Sequence, residues 1–309
     1  MLPELFKQDR KLMGNRFEIT VIGPDKTWGD EMIEAGVKEI KRIEKLLTTF
    51  SDDSETNLVN RNAGIQPVKV SDEVFQLIER SVRISAVTQG SFDITYGSID
   101  KRLWNFDETM TALPTLKQAR KLVKLINYRN IILNPLDKTV FLLQKGMRIG
   151  FGGIGKGYAA EMAKEAMKKK GVLSGIVNAS GDLTAWGTQP DGTPWTVGIV
   201  HPDKKDLPFS YINISDMAVA TSGNYEKFVV INGRKYSHTI DPRTGLPVSG
   251  IKSVTVFSPN AEISDALATP VIIMGVRHGL DLINQLKDVE CVIIDDDNKI
   301  FTSQNIKCT

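Results

Sequence analysis

Apolar positions in the first half of the chain repeat with the period of a helix. Between residues 29 and 50 they fall three or four positions apart, at Ile33, Val37, Ile40, Ile43 and Leu47. Charged residues fill the positions between them, so this segment is predicted to form an amphipathic helix with a polar outer face. Just before it, residues 16–23 alternate between polar and apolar side chains, which predicts a strand.

Further helices are predicted from their spacing and from their ends. Residues 71–90 begin with Ser71, a good N-cap residue, and continue with acidic side chains that suit the first turn of a helix. A shorter helix is predicted over 115–126. Two more are predicted near 261–274 and 276–286.

From residue 174 onward, short apolar runs separated by turn residues predict a series of strands. The runs are SGIVNAS, DLTAWG, PWTVGIV, SYINIS, MAVATS, KFVVING, RKYSHTI and IKSVTVFS. Hairpins are also predicted at 130–143 and, as a closing pair, at 289–303. Strands this close in sequence favour antiparallel pairing. The sequence therefore predicts an α+β fold of largely antiparallel sheet with packed helices, in which residues 1–309 form one domain or two closely packed lobes.

Composition narrows the class of protein. The 309 residues carry 39 basic and 37 acidic side chains, a net charge of +2 that argues against a nucleic-acid partner. Cys291 and Cys308 make no disulfide framework, and Cys291 lies in an apolar run that predicts burial. No run reaches the ~18 apolar residues of a membrane span. The N-terminus has no apolar signal region, which fits either a cytoplasmic protein or a mature form without its leader.

A glycine-rich stretch, GFGGIGKGYAAE, leads into a predicted helix at residues 150–161. Glycines allow close approach of backbone to a phosphate, and a helix N-terminus offers unpaired N–H groups. Lys156 stands where its ammonium could meet a phosphoryl oxygen. The stretch is not a Walker A motif, because no Ser or Thr follows the lysine. A tight strand-to-helix turn without a ligand is the alternative interpretation.

Two further groups of residues could carry chemistry. Asp265 and Thr269 lie four apart in a predicted helix, so their oxygens share one face and could bind Mg²⁺, although a polar stripe would have the same pattern. His238 could act as a general base, because an imidazole with a pKa near ~6.5 suits proton removal at neutral pH. A turn histidine bound to the backbone is the alternative. Arg243 could contact a phosphate or pair with Asp241.

Nine stretches match one known family in that family's order, from residue 13 to residue 275. They are MGNRFEITV, TTFSDDSETNLVN, GSFDITYGSI, GGIGKGYAAE, VNASGDLTAWG, PWTVGIVHP, ATSGNYEKF, YSHTIDPRTGLPV and SPNAEISDALAT. In these stretches the chain resembles the ApbE-like family, the FAD:protein FMN transferases. The order of so many motifs over most of the chain makes the resemblance specific, and it implies an ApbE-like fold.

The resemblance implies a Mg²⁺-dependent enzyme that uses FAD as substrate. It would transfer the FMN moiety to a Ser or Thr hydroxyl of a target flavoprotein as a phosphoester and release AMP. The alternatives are a Mg²⁺-dependent FAD pyrophosphatase that gives FMN and AMP, and an FAD-binding protein without turnover. By resemblance the acceptors are often subunits of membrane redox complexes, and the location is periplasmic or otherwise extracytoplasmic, with a cytoplasmic variant as the alternative.

The resemblance also implies roles for individual residues. His238 matches the base that deprotonates the acceptor hydroxyl. The metal ligands correspond to Asp265, Thr269 and the backbone carbonyl of Gly153. The positions that contact the flavin cofactor correspond to Met13, Ser91, Phe92, Asp93, Lys156 and Ile240.

Two cofactor positions differ from the usual family pattern. Gly150 stands where the family often has Asp, which removes one hydrogen-bond acceptor. Phe50 stands where the family often has Tyr; it can still stack on a ring but offers no hydroxyl. Both replacements are expected to affect FAD affinity or the balance between transfer and hydrolysis.

Overall fold

This computed structural model describes residues 4–100, 110, 112–201, 204–224, 228–231 and 233–306. An uninterrupted series of strands between residues 175 and 258 separates the earlier helices from the last one. In chain order the strands are β1 (Glu4–Leu12), β2 (Asn15–Gly23), β3 (Val68–Lys69), β4 (Ile131–Asn134), β5 (Thr139–Leu142), β6 (Gly175–Ala179), β7 (Asp182–Trp186), β8 (Trp195–His201), β9 (Lys204–Ile214), β10 (Met217–Gly223), β11 (Phe228–Ile231), β12 (Arg234–Ser237), β13 (Ile251–Ser258), β14 (Glu290–Asp295) and β15 (Ile300–Thr302). The helices are α1 (Lys26–Leu47), α2 (Glu55–Arg61), α3 (Asp72–Val87), α4 (Leu116–Leu122), α5 (Gly155–Lys169) and α6 (Ala261–Ile283).

A large sheet organises the fold. Its strand order is β1-β2-β6-β7-β10-β13-β14-β15, and every neighbouring pair is antiparallel. Smaller antiparallel sheets are formed by β3-β5-β4, by β8-β9 and by β11-β12. The predicted α+β class with largely antiparallel sheet is therefore confirmed.

Successive side chains of β7 point to opposite faces of this sheet, and the two faces pack against different clusters of apolar residues. Trp186 joins the main core under the helices, while Leu183 and Ala185 pack in a second cluster with Trp195 of the β8-β9 hairpin. Asp182, which shares the Trp186 face, therefore points to the helical layer. This strand is buried along its whole length, so an acidic residue at its start is unusual.

Helices α1, α5 and α6 cover one face of the sheet. The apolar stripe of α1 is buried as predicted, and the helix begins at Lys26, where the Asp25 side chain accepts the Trp28 N–H at 2.9 Å. The predicted N-cap of α3 is also confirmed, because Ser71 accepts from Val74 N–H. Cys291 is fully buried as expected, and Cys308 lies outside the described residues.

Helix α6 contains a sharp change of direction. Gly275 has a φ of 81° and a ψ of 168°, which break the helical backbone. The two helices predicted near 261–274 and 276–286 are therefore the two halves of α6. Within the described residues α6 alone is long and apolar enough to cross a membrane, and half of its apolar stretch is buried inside the protein, as in a core helix.

Sequence reasoning missed strand β1, the two-residue strand β3 and helix α2. Strand β1 is an edge strand whose side chains are mostly exposed or half-exposed, so it lacks the apolar alternation that marks a half-buried strand. Helix α2 is short and polar, and it begins where the Ser54 hydroxyl accepts the Asn57 N–H at 3.0 Å.

Candidate active site

The glycine-rich stretch forms a tight turn that leads into α5. Gly150 N–H donates to the carbonyl of Ile94 at 3.0 Å, and Gly155 N–H donates to the carbonyl of Phe151 at 2.7 Å. The helix starts at Gly155 without a capping side chain from Ile154. The amide groups of its first turn therefore need acceptors from another part of the chain.

Asp265 of α6 supplies an acceptor for these amides. Its Oδ2 accepts the Gly157 N–H at 2.9 Å, and its carboxylate also accepts from the Lys156 backbone. The two helices touch through their backbones, because a Cβ on Gly157 would lie 2.1 Å from the carbonyl oxygen of Ala261. Glycine at 157 is what lets α6 bring Asp265 to the N-terminus of α5.

Asp182 places a second carboxylate at this helix end. It is the first residue of β7 and forms a salt bridge with the ammonium of Lys156. The hairpin before it has a two-residue loop, Ser180 and Gly181, with φ values of 55° and 100°. Positive φ at both loop positions matches the tight hairpin turn whose twist agrees with that of the strands. The turn leads directly into Asp182, which contacts Lys156 in the first turn of α5.

Lys156, Asp182 and Asp265 form a charge cluster at the N-terminus of α5, and its excess negative charge favours the binding of a cation. Burial and the charge of Asp182 raise the pKa of the Asp265 carboxyl to about 7, against the attraction of Lys156. Burial also raises the pKa of Asp182. For Lys156, burial works against the ammonium, but the two carboxylates outweigh it and raise the pKa. With both carboxylates ionised, one ammonium faces two negative charges, which leaves a buried excess of negative charge.

Thr269 lies one helical turn after Asp265 on α6. Its Oγ1 is 2.9 Å from Oγ of Ser222 on β10. Residues four apart on a helix share a face, so the carboxylate and the hydroxyl are neighbours along α6. The hydrogen bond to Ser222 fixes the threonine side chain against the sheet.

The turn that carries His238 is joined to the same strand. Asn224 directly follows β10, and its Oδ1 accepts the Thr239 hydroxyl at 2.9 Å. Ser237 N–H donates to the carbonyl of Val248 at 3.1 Å, and Val248 N–H donates to the carbonyl of Thr239 at 2.9 Å. His238 is therefore held by pairing on both sides of its own backbone, while its side chain is exposed.

The remainder of this turn is held by an ion pair and by contacts with neighbouring elements. The Arg243 guanidinium makes two contacts of 2.9 Å with the carboxylate of Asp241, so of the two roles open for Arg243 the structure shows the ion pair. Ile240 is buried, and its backbone hydrogen-bonds with the Tyr96 hydroxyl. A Cβ on Gly90 would lie 3.8 Å from Arg243 Cγ, so the turn also touches the loop after α3.

That loop brings its predicted cofactor residues to the glycine turn. A Cβ on Gly153 would lie 3.5 Å from the Phe92 ring. Asp93 Oδ1 accepts from the N–H and hydroxyl of Thr95 at 2.8 and 2.6 Å, and its Oδ2 accepts the Tyr128 N–H at 3.0 Å. Burial raises the pKa of Asp93. Its carboxylate is occupied inside the protein, so Asp93 shapes the loop through these bonds.

Ser91 differs from its neighbours, because its buried hydroxyl has no hydrogen-bond partner in the protein. Among the described residues, its Oγ is the one buried side-chain polar atom with no hydrogen-bond partner in the protein. Buried hydroxyls nearly always have partners. An unpaired hydroxyl one position before Phe92 therefore fits a site that is completed by a ligand.

The other predicted cofactor residues border the same turn. Met13 sits in the β1–β2 turn with a φ of 50°, and its methyl carbon is 3.8 Å from where a Cβ on Gly155 would lie. Phe50 is 98% exposed in the loop after α1. Its neighbour Thr49 is 4.0 Å from where a Cβ on Gly150 would lie. The Phe50 ring thus stands in solvent, one position after the residue that approaches the glycine turn.

The donor set fits Mg²⁺. Within the described part of the chain, no group of three or more His, Cys, Asp and Glu side chains is arranged to hold a metal. A cation here would therefore combine Asp265 with hydroxyl, carbonyl and water oxygens, which Mg²⁺ accepts readily. The excess negative charge beside Lys156 gives that cation a favourable potential.

Asp182 and Ser222 are among the residues of this site that sequence reasoning missed. Both lie inside matched motifs, but the notable contacts of their side chains, with Lys156 and Thr269, join separate elements. A signal was available for Asp182, since an acid that follows a Ser-Gly turn and opens an apolar strand is rarely buried without a partner. No comparable signal marks Ser222, whose contact with Thr269 depends on the packing of α6 on β10.

Gly157→Ala is expected to destabilise the protein and to disrupt the site. Alanine normally improves a helix by about 1 kcal/mol relative to glycine, but here its methyl group would meet the backbone of α6 at 2.1 Å. Overpacking against backbone costs ~1–3 kcal/mol or more. The measurement is the free energy of unfolding from urea titration.

Gly36→Ala in α1 is the matched control for that substitution. The atoms nearest to its Cβ would belong to the flexible side chain of Met167, the first of them at 3.1 Å. A methionine can adjust, so we expect a change within about 1 kcal/mol. Equal effects of the two substitutions would contradict the close backbone contact at Gly157.

Comparison with protein families gives one match. The model of the ApbE family matches residues 13–293. A curated relative from Klebsiella pneumoniae, named FAD:protein FMN transferase, is 30% identical over 295 residues, with 94% of this chain and 90% of the relative covered. A relative of the same name from Vibrio cholerae is 28% identical, with 87% and 81% covered.

Solved structures share the fold. The crystal structure of the ApbE protein from Thermotoga maritima superimposes with a TM-score of 0.85 at 27% identity, and 97% of each chain is covered. The flavin transferase ApbE from Vibrio cholerae superimposes with a TM-score of 0.84 at 23% identity, with 97% of each chain covered. The predicted ApbE-like fold is thus confirmed over nearly the whole chain.

Proposed function

Because the chain belongs to the ApbE family, we propose that it is an FAD:protein FMN transferase, the name carried by its curated relatives. In this reaction a hydroxyl oxygen of a Ser or Thr in the acceptor protein bonds to the phosphorus of the FMN half of FAD. The pyrophosphate bond breaks, and AMP leaves with the bridging oxygen. The hydroxyl proton passes to a base on the enzyme.

One observation carries this proposal. A half-buried lysine, Lys156, meets two buried carboxylates, Asp182 and Asp265, at the N-terminus of α5. A path through β10 leads from the same helix α6 to the turn of His238. A glycine turn with helix amides and an ammonium suits a pyrophosphate. An exposed imidazole suits a macromolecular hydroxyl that arrives from solvent.

Residues of this chain have separate tasks in the reaction. Asp265, Thr269 and the carbonyl of Gly153 would hold Mg²⁺, which when bound polarises phosphoryl oxygens and neutralises charge on the leaving group. Lys156 adds fixed positive charge where negative charge develops. Asp182 keeps the Lys156 ammonium in place. His238 accepts the proton of the acceptor hydroxyl.

The flavin half of FAD has its own candidate contacts. Phe50 and Met13 offer a ring face and a thioether beside the glycine turn, and Ser91 offers an unpaired hydroxyl. Gly150 leaves the space that an acidic side chain would fill, because a Cβ there would meet nothing nearer than Thr49. We place the isoalloxazine between these residues.

Hydrolysis of FAD is the second candidate function. The observation that favours it is the exposure of His238, since water could reach the imidazole in place of an acceptor. The product would then be free FMN with AMP.

Mass spectrometry tests the proposal directly. The protein is incubated with FAD and MgCl₂, with and without a folded domain that carries a Ser/Thr acceptor motif. We expect a mass increase equal to FMN on the acceptor and loss of that increase when EDTA is added. Free FMN and AMP without an adduct would favour the hydrolase. Intact FAD in all samples would contradict both reactions.

A further inference from the structure

Glu161 and Lys164 form a buried ion pair behind the candidate site. They lie three apart on α5, are almost fully buried and contact each other directly. Buried charges are costly unless they are paired and hydrogen-bonded. The proposed reaction assigns no task to either residue of this pair. The reaction therefore does not explain why two charged side chains are buried here.

Both members of the pair reach other elements of the site. Glu161 Oε2 accepts the Ala261 N–H at 3.0 Å, which is the first amide of α6. Lys164 Nζ lies 3.3 Å from Oγ1 of Thr184 on β7. The pair thus joins α5 to the start of α6 and to the strand that carries Asp182.

Helices α5 and α6 therefore cap each other. Asp265 of α6 accepts the Gly157 N–H of α5, and Glu161 of α5 accepts the Ala261 N–H of α6. Ala261 and Asp265 are four residues apart and share a helix face. A shift of the first turn of α6 would consequently move Asp265. By holding the Ala261 N–H, Glu161 therefore also helps to keep Asp265 at the N-terminus of α5.

We propose that Glu161 is a positioning residue for the metal site: by holding the first amide of α6, it fixes Asp265 at the N-terminus of α5. Lys164 keeps the Glu161 carboxylate in that position through its contacts with Glu161 and with β7. This inference rests on the proposed function, because it takes Asp265 as a Mg²⁺ ligand. Groups that orient metal ligands typically change metal affinity by 10–100-fold when they are removed.

Two double variants separate positioning from simple stability. Removing only one partner would leave a buried unpaired charge and endanger folding, so both variants replace Lys164 by Met. Glu161→Gln/Lys164→Met keeps an oxygen that can accept the Ala261 N–H. Glu161→Leu/Lys164→Met has nearly the same volume but no acceptor. The two differ in the single hydrogen bond to α6.

Mg²⁺ binding is measured through its effect on FAD binding, without measuring FMN transfer. Each variant is made in a His238→Ala background, in which turnover of FAD is expected to be about 10²–10⁴-fold slower, and no acceptor protein is added. MgCl₂ is titrated while flavin fluorescence reports FAD binding. Melting temperatures are measured in EDTA. A control in the same background, Glu165→Leu/Lys168→Met, removes another ion pair with the same spacing on α5, at the exposed end away from the site.

We expect the Gln variant and the control to match the His238→Ala parent, and the Leu variant to need about tenfold more Mg²⁺ at a similar melting temperature. Equal Mg²⁺ requirements of the Gln and Leu variants would overturn the assigned role of Glu161. If the parent itself does not respond to Mg²⁺, the metal part of the proposed function fails, and this inference fails with it.

Discussion

His238→Ala is expected to lower the rate of FMN transfer about 10²–10⁴-fold, the usual contribution of a general base, while FAD binding and stability stay near those of the parent protein. The physical reason is that the imidazole is the group at this turn that can accept the proton of the incoming hydroxyl. The rate is measured as FMN attached to the acceptor per unit time at saturating FAD and Mg²⁺.

The structure explains why this loss should leave the fold intact. The backbone on both sides of His238 is fixed by Ser237, Thr239 and Val248, and Asn224 holds the Thr239 hydroxyl. None of these bonds uses the imidazole. Substitutions of exposed side chains usually change stability by less than about 0.5 kcal/mol, so the melting temperature should stay close to that of the parent.

A matched control is available on α6. His278 is exposed, and His278→Ala removes the same side chain from a helix surface. We expect its transfer rate to equal that of the parent. Transfer at the full rate by His238→Ala would exclude His238 as the base, and equal losses in both variants would point to a general effect of removing histidine.

Much of the helical layer could be predicted from the sequence, because a helix that packs on a core has apolar residues at every third or fourth position. The stripe of α1 is buried where the spacing places it. The antiparallel character of the sheet was also accessible, because short turns between strands permit few other arrangements. Strand β1 was not predicted, because an edge strand whose two faces are largely solvated shows no alternation of apolar and polar residues.

The order of strands could not be read in the same way. Strand β2 pairs with β6, with Phe17 opposite Ala179, although the two residues are far apart in sequence. Such pairing depends on how the helices pack over the sheet, and no local signal encodes it. The charge cluster follows from this pairing, since Asp182 reaches Lys156 only after β6 and β7 have joined the sheet.

The candidate site shows the same division. The Asp265–Thr269 spacing was visible as one helix face, and the resemblance assigned both residues. Their partners were not visible: Gly157 beneath Asp265, Ser222 beside Thr269 and Glu161 behind the start of α6 come from contacts between elements. A motif gives the residues that touch a ligand more readily than those that hold them in place.

Asp265→Asn is the substitution expected to separate stability from activity most clearly. The amide oxygen can still accept the Gly157 N–H that Asp265 now accepts at 2.9 Å, so the junction of α5 and α6 is kept. The substitution removes one of two carboxylates that share the Lys156 ammonium. Since burial and the charge of Asp182 raise the pKa of Asp265 to about 7, its charge is unfavourable in the metal-free protein.

We therefore expect the melting temperature of Asp265→Asn in EDTA to equal or exceed that of the parent. Transfer should fall by at least ~10²-fold, because the Lewis-acid contribution of a bound metal is worth several kcal/mol. The Mg²⁺ concentration needed for half-maximal rate should also rise. Both quantities come from initial rates measured over a range of MgCl₂ concentrations.

Asp281→Asn is the matched control on the same helix, because Asp281 is exposed and the chemical change is identical. It should leave the melting temperature, the rate and the Mg²⁺ requirement unchanged. A protein with Asp265→Asn that keeps the parental Mg²⁺ requirement would show that the metal lies elsewhere. One that melts well below the parent would show that the Asp265 charge stabilises α5, and that its chief role is to cap the helix. A gain in stability together with a loss of transfer would mean that a buried carboxylate is kept at this helix end for its chemistry, at a cost to the fold.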